Sequence, residues 1–213
     1  MSRIALIGDS HSQIHFTQLI PSLEESGNEI VFQSSKPGWG IKKFLSTSEL
    51  DGLADTQPSI AIVALGGNNF NLNEEKYKGQ IDEFVAFLKG IGVDRIVWMG
   101  PFESDPVTKA SVQERHQWTA DLQDAYLPSK GVFWIDMRPM SEGLEWRDGV
   151  HFSAPNYKII VERMLKPLLS YVSSPLIFLR PHRSPIFWTL LVATLSIGGY
   201  FIVRRIRTHG SRY

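Results

Sequence analysis

The chain contains no cysteine. That excludes a disulfide framework, a thiolate nucleophile and thiolate-bound zinc, and it leaves the redox compartment undetermined. A net charge is missing too: 22 Lys and Arg balance 22 Asp and Glu, so bulk charge gives no reason to expect nucleic acid or an acidic polymer as partner. There is no G-x-S-x-G nucleophile elbow, no P-loop and no dinucleotide fingerprint, which disfavours the families built on those turns. Internal repeats and low-complexity tracts are absent. No cluster of His, Asp and Glu has metal-ligand spacing, so neither metal nor other cofactor is expected. The N-terminus also lacks the features of a signal peptide, because residues 3–7 (RIALI) run straight into the polar Gly8-Asp9-Ser10.

What is present reads as globular. The 213 residues are 43% hydrophobic and 21% charged, enough for one well-packed domain with a remainder too short for a second. Short runs rich in β-branched or aromatic residues at 3–7, 29–33, 59–65, 95–99 and 132–136 predict five strands, all reading as interior. Helical patterns fall between them. One starts at Ser12, where Pro21 is expected to distort the helix or end it early. The clearest has Asn73 as cap, Glu74 and Glu75 in its first turn, an apolar face of Ile81, Phe84, Val85 and Leu88, and Gly90 and Gly92 at its end. Others are expected over 108–126 and from Ala154 toward Tyr171, the last with a break at Pro167. Alternating strands and helices imply an α/β fold: a five-stranded parallel sheet in a three-layer α/β/α sandwich. In such sheets ligands bind beyond the carboxyl ends of the strands.

The C-terminal region differs. Residues 173–185, with three prolines and two arginines, read as a linker after a domain at 1–172. Residues 186–203 are uncharged and apolar, and as a helix would reach about 27 Å, enough to span a bilayer. Trp188 and Tyr200 near its ends, with Arg204, Arg205 and Arg207 just after it, suit a transmembrane anchor followed by a basic tail at 204–213. The lipid bilayer is thus an expected partner. Orientation is contradictory: the basic tail argues for a cytoplasmic C-terminus and an external domain, whereas the missing signal peptide argues for a tail anchor. A viral membrane assembled inside a host would reconcile the two.

Four short blocks stand at strand ends or helix starts: Gly8-Asp9-Ser10-His11-Ser12, Pro37-Gly38-Trp39-Gly40, Gly66-Gly67-Asn68-Asn69 and Asp148-Gly149-Val150-His151. Each alone passes for a turn. Together they supply what a serine hydroxyl needs to attack a carbonyl, namely a base, a group to orient it, and donors for the oxyanion. The three-residue step from Asp148 to His151 lets a short turn fold the carboxylate back onto the imidazole.

In these blocks, in their order, the chain resembles the SGNH hydrolases, also called the GDSL family, over about residues 3–172. The resemblance implies the flavodoxin-like SGNH fold and a triad of Ser10, Asp148 and His151. It implies an oxyanion hole of the Ser10 N–H, the Gly38 N–H and the Asn68 side chain, with Gly40 a rival to Gly38. Asn69 stands where the family usually has Asp. The implied activity is hydrolysis of an ester through an acyl-enzyme. Acetylated glycans, including cell-wall sugars, are candidate substrates; lysophospholipid, transfer to an alcohol, and an inactive glycan-binding domain are the alternatives. His11 and His15 lack a partner carboxylate at useful spacing and read as structural or substrate-rim residues. His116, His182 and His209 read as surface. Trp39 either lines the acyl pocket or packs in its loop.

Overall fold

The structure, a computed structural model, describes residues 1–69 and 72–174. The linker beyond 174, the expected anchor at 186–203 and the basic tail lie outside the described residues. Among those described, no helix is long and apolar enough to cross a membrane.

Five parallel strands, β1 (Arg3–Gly8), β2 (Glu29–Ser35), β3 (Ile60–Ala64), β4 (Arg95–Met99) and β5 (Phe133–Ile135), form one sheet in the order β2-β1-β3-β4-β5. The central strands are buried on both faces, which is why they read as continuous apolar runs. Their alternate residues divide cleanly. Ala5, Ile7, Ala61, Val63, Ile96 and Trp98 pack with α3 (Glu74–Gly90), α4 (Ala110–Tyr126) and the short α2 (Ile41–Leu45). Ile4, Leu6, Ile60, Ile62, Val97 and Met99 face the other way, onto α1 (Ser10–Glu25) and α6 (Ala154–Ser173). A short α5 (Arg138–Ser141) precedes α6. Helices therefore cover both faces, and the expected three-layer sandwich is formed.

Three expectations need correction. β2 and β5 are edges, not interior strands, and residues 29–32 of β2 are only half-buried. α1 runs on through Pro21 to Glu25, and α6 through Pro167 to Ser173. Both prolines lie on the exposed side of their helices, where the carbonyl that loses its partner can turn to water.

The chain proceeds from β1 outward to β2, then crosses back to β3 and on through β4 to β5. The carboxyl ends of β1 and β3 thus form the topological switch point, where a crevice opens between the loops that follow.

Candidate active site

Ser10 is the first residue of α1, two positions after β1 ends. The turn between them is tight. A Cβ on Gly8 would lie 2.5 Å from both Cβ and Oγ of Ser12, so only glycine lets strand and helix approach this closely. Asp9 caps the helix, its Oδ1 accepting from the His11 N–H at 3.1 Å. Ser12 Oγ stands 2.7 Å from both Asp9 O and Ser35 Oγ, tying the turn to the end of β2.

Asp148 and His151 share a turn just before α6. Its flanks are fixed by a bridge between Trp146 and Phe152, and Phe152 is buried in the core on the α1/α6 side. Gly149 has φ +83°, and its Cβ would meet Thr108 Oγ1 at 2.8 Å, so the turn demands glycine on both counts. Asp148 Oδ1 accepts from the N–H of Val150 at 3.1 Å and of His151 at 2.8 Å. Its Oδ2 lies 3.0 Å from His151 Nδ1 and 3.0 Å from Arg147 Nη2. Partial burial works against the charge, but the His151 N–H, the Arg147 guanidinium and the Val150 N–H outweigh it and hold the carboxyl well below the usual range. A carboxylate on Nδ1 selects the tautomer whose Nε2 is an acceptor. That Nε2 is 2.8 Å from Ser10 Oγ, across 141 positions of sequence.

The remaining blocks arrive from neighbouring loops. Asn68, after β3, has its Nδ2 3.3 Å from Asp9 Oδ2 and 3.4 Å from Trp39 O. Gly40 caps α2 against this loop: a Cβ there would lie 2.5 Å from Asn69 Oδ1 and 3.3 Å from Asn68 O. Gly38 stands in the open at φ +72°, with nothing within 4 Å of where its Cβ would be. Trp39 is partly buried, its ring 5.2 Å from Phe44 in the core cluster on the α3/α4 side.

The structure also gathers histidines that sequence reasoning set aside. His116 is buried, 3% exposed, rather than on the surface. Its Nδ1 is 2.9 Å from Phe102 O and 3.0 Å from Ser104 Oγ, and its Nε2 is 3.3 Å from Gly67 O. His11 is buried with Nδ1 2.8 Å from Tyr157 Oη, and its ring centre is 4.8 Å from that of His151. His15 is buried with Nε2 3.1 Å from Met164 Sδ. Burial lowers all three, His15 to about 4. Of the imidazoles around Ser10, His151 is thus the one with a carboxylate behind it. Burial also pushes the Asp9 carboxyl up to about 7, against the pull of the His11 N–H.

A cavity of about 190 Å³ opens over Ser10 and His151, walled by Asn68, Val112, His116 and Val150. Among the described residues no group of three or more His, Asp or Glu is placed to hold a metal ion. The assembled parts are a hydroxyl on an imidazole, the imidazole on a carboxylate, and the Asn68 amide in the wall of the same cavity. That set can activate an oxygen nucleophile and receive negative charge on an adjacent carbonyl oxygen.

No family profile and no curated protein sequence matches the chain. Solved structures do. An acetylxylan esterase from Geobacillus stearothermophilus superposes with a TM-score of 0.63 at 15% identity, over 78% of this chain and 93% of that one. A GDSL-like lipase from Bacteroides thetaiotaomicron gives 0.61 at 16% identity, over 80% and 89%. A putative acylhydrolase from Bacteroides fragilis gives 0.61 at 14% identity, over 80% and 88%. The chain shares the fold of these proteins, which is the α/β fold expected from the alternation of strands and helices.

Proposed function

We propose that this chain, built on the fold of GDSL-like lipases and acylhydrolases, is an SGNH-type serine esterase anchored to a membrane. The observation that carries the reading is the unbroken row Ser10 Oγ, His151 Nε2, His151 Nδ1, Asp148 Oδ2, with steps of 2.8 and 3.0 Å. In the reaction, His151 Nε2 takes the Ser10 proton as Oγ bonds to the ester carbonyl carbon. Asp148 stabilises the imidazolium that results. The carbonyl oxygen becomes an oxyanion facing the Ser10 N–H at the positive end of α1 and the Asn68 amide. We place the third donor at Gly40 rather than Gly38, because Gly40 is the glycine packed against the Asn68-Asn69 loop, meeting the Asn69 side chain and the Asn68 carbonyl. Collapse of the tetrahedral intermediate breaks the bond to the alcohol, which leaves with the His151 proton. Water, deprotonated by His151, then releases the acid from Ser10.

The acyl group is short in this reading, since Val112, Val150 and His116 line an open cavity of modest volume. An acetyl ester on a sugar fits it, and acetylxylan esterases are among the proteins sharing the fold. The anchor is residues 186–203, on the length and flanks of that segment. The test is release of acetate from p-nitrophenyl acetate and from acetylated xylo-oligosaccharides by the purified chain. Ser10→Ala should abolish it, by about a thousandfold or more, and butyryl and longer esters should turn over more slowly than acetyl. Turnover surviving in Ser10→Ala would refute the nucleophile. Product that appears only with an added alcohol acceptor would mark a transferase.

A further inference from the structure

We infer that Arg115 is a positioning residue that holds the Asn68 amide where the oxyanion forms, an inference that rests on the esterase reading above. The Asn68 side chain is loosely held, its two contacts falling at 3.3 and 3.4 Å, near the limit of a useful hydrogen bond. Its placement therefore depends on the backbone of its loop. That backbone is gripped by carbonyls, and α4 does most of the gripping. Gln123 Nε2 donates to Leu65 O at 2.9 Å, and His116 Nε2 lies 3.3 Å from Gly67 O. Arg115 takes the far side: Nη2 donates to Asn69 O at 2.8 Å and to Leu72 O at 2.6 Å, with Nε 3.2 Å from Asn69 O.

Arg115 bridges two carbonyls on the far side of Asn68, one directly after it and one three residues further on. A planar guanidinium can do this because its donors are fixed in one fork. The plane itself is set by Trp118, whose ring centre lies 4.0 Å from the guanidinium carbon. Arg115 is partly buried and reaches no atom of Ser10, Asp148 or His151, so it acts through the loop rather than on substrate. An oxyanion donor displaced by even a fraction of an ångström contributes less to the transition state while leaving ground-state binding nearly unchanged.

The test is a double-mutant cycle on the full chain with p-nitrophenyl acetate, pairing Arg115→Met with Asn68→Ala. Asn68→Ala should lower kcat by about 10²–10³-fold. Arg115→Met should lower kcat by about 10–50-fold with KM within about twofold, and Arg115→Lys should fall between, since an ammonium is one point rather than a fork. In the Asn68→Ala background, Arg115→Met should cost less than about twofold more, because no amide remains to be placed. A residue that only stabilises the fold would multiply its loss through the double variant, and that result overturns the inference. So does a kcat for Arg115→Met within twofold of the parent, or a raised KM at unchanged kcat. Should Arg115→Met melt at the assay temperature, the same cycle run with Arg115→Lys decides. Ser10→Ala keeps the two readings apart: turnover that needs Ser10 but ignores Arg115 defeats this inference alone, whereas turnover without Ser10 defeats the esterase reading and this one with it.

Discussion

At the residue scale, the carboxylate of Asp148 is over-supplied with donors: two backbone N–H groups, the Arg147 guanidinium and the His151 ring. Its depressed pKa stabilises the fold above the ordinary carboxylate range near 4, and that contribution is lost only as pH falls through the depressed value. Around neutral pH the charge is therefore constant. Asp148→Asn should cost about 10²–10⁴-fold in kcat, because an amide N–H facing Nδ1 favours the wrong tautomer; a loss under threefold in an ester-hydrolysis assay would remove Asp148 from the triad. The neighbouring buried groups carry opposite signs in acid. His15, lowered to about 4 by burial, refuses a proton that the unfolded chain binds below about 6.5, so it lowers stability as pH falls through that window, by up to about 1.4 kcal/mol per unit. Asp9, raised to about 7 by burial, keeps a proton that the unfolded chain releases above about 4, so it raises stability as pH falls from 7. Urea unfolding at pH 7 and pH 5 should show His15→Leu losing less on acidification than the parent, by on the order of 2 kcal/mol, and Asp9→Asn losing more. Equal changes in all three chains would contradict the assigned burial effects.

At the scale of elements, what the sequence revealed and what it hid have a common cause. The strands were legible because β1, β3 and β4 are buried on both sides and carry unbroken apolar runs. Ser10, Asn68, Asp148 and His151 were legible because each stands where an element starts or a strand has just ended, in small turn-forming company. α4 was read only as a helix, and its part in the site was missed. Its buried face mixes the polar His116, Thr119 and Gln123 with the apolar Ala120 and Leu122, which blurs the hydrophobic periodicity that would mark it. The spacing 116, 119, 123 is helical nevertheless, and three polar residues at that spacing were the available signal. The edge positions of β2 and β5 follow from strand order, which no local pattern encodes. Pro21 and Pro167 misled because the cost of a helical proline depends on which side of the helix it occupies. The joint between β1 and α1 is the most constrained of these elements. Gly8→Ala drives a methyl into Ser12, which is fully buried, and overpacking of this kind costs about 2 kcal/mol. A thermal melt should fall by about 6 °C, with loss of Ser10-dependent turnover as Asp9 and Ser10 shift. An unchanged melt would mean that the strand-to-helix turn has slack the geometry denies.

For the whole molecule, the question is what residues 1–174 do without the segment that follows. Among the described residues, both hydrophobic clusters, one on each face of the sheet, and the strand pairings are made of residues before Ser174. The last residues of that span are not dispensable. Arg95, at the start of β4 and 8% exposed, spends its guanidinium on the carbonyls of Tyr171, Val172 and Ser174 at the end of α6. A chain ending at residue 170 would remove all three acceptors and leave a buried cation with none of them, a defect of about 3–5 kcal/mol. A chain ending at 178 should therefore melt within about 2 °C of the full protein and hydrolyse p-nitrophenyl acetate at the same rate, while one ending at 170 should melt lower by about 10 °C or more. The same truncation tests the anchor. If residues 186–203 hold the proposed esterase to a bilayer, the full chain should float with phosphatidylcholine vesicles in a density gradient, and the chain ending at 178 should stay at the bottom with its p-nitrophenyl acetate turnover unchanged. Flotation of both would place the lipid contact on residues 1–178 themselves, and flotation of neither would leave the apolar segment without a membrane to span.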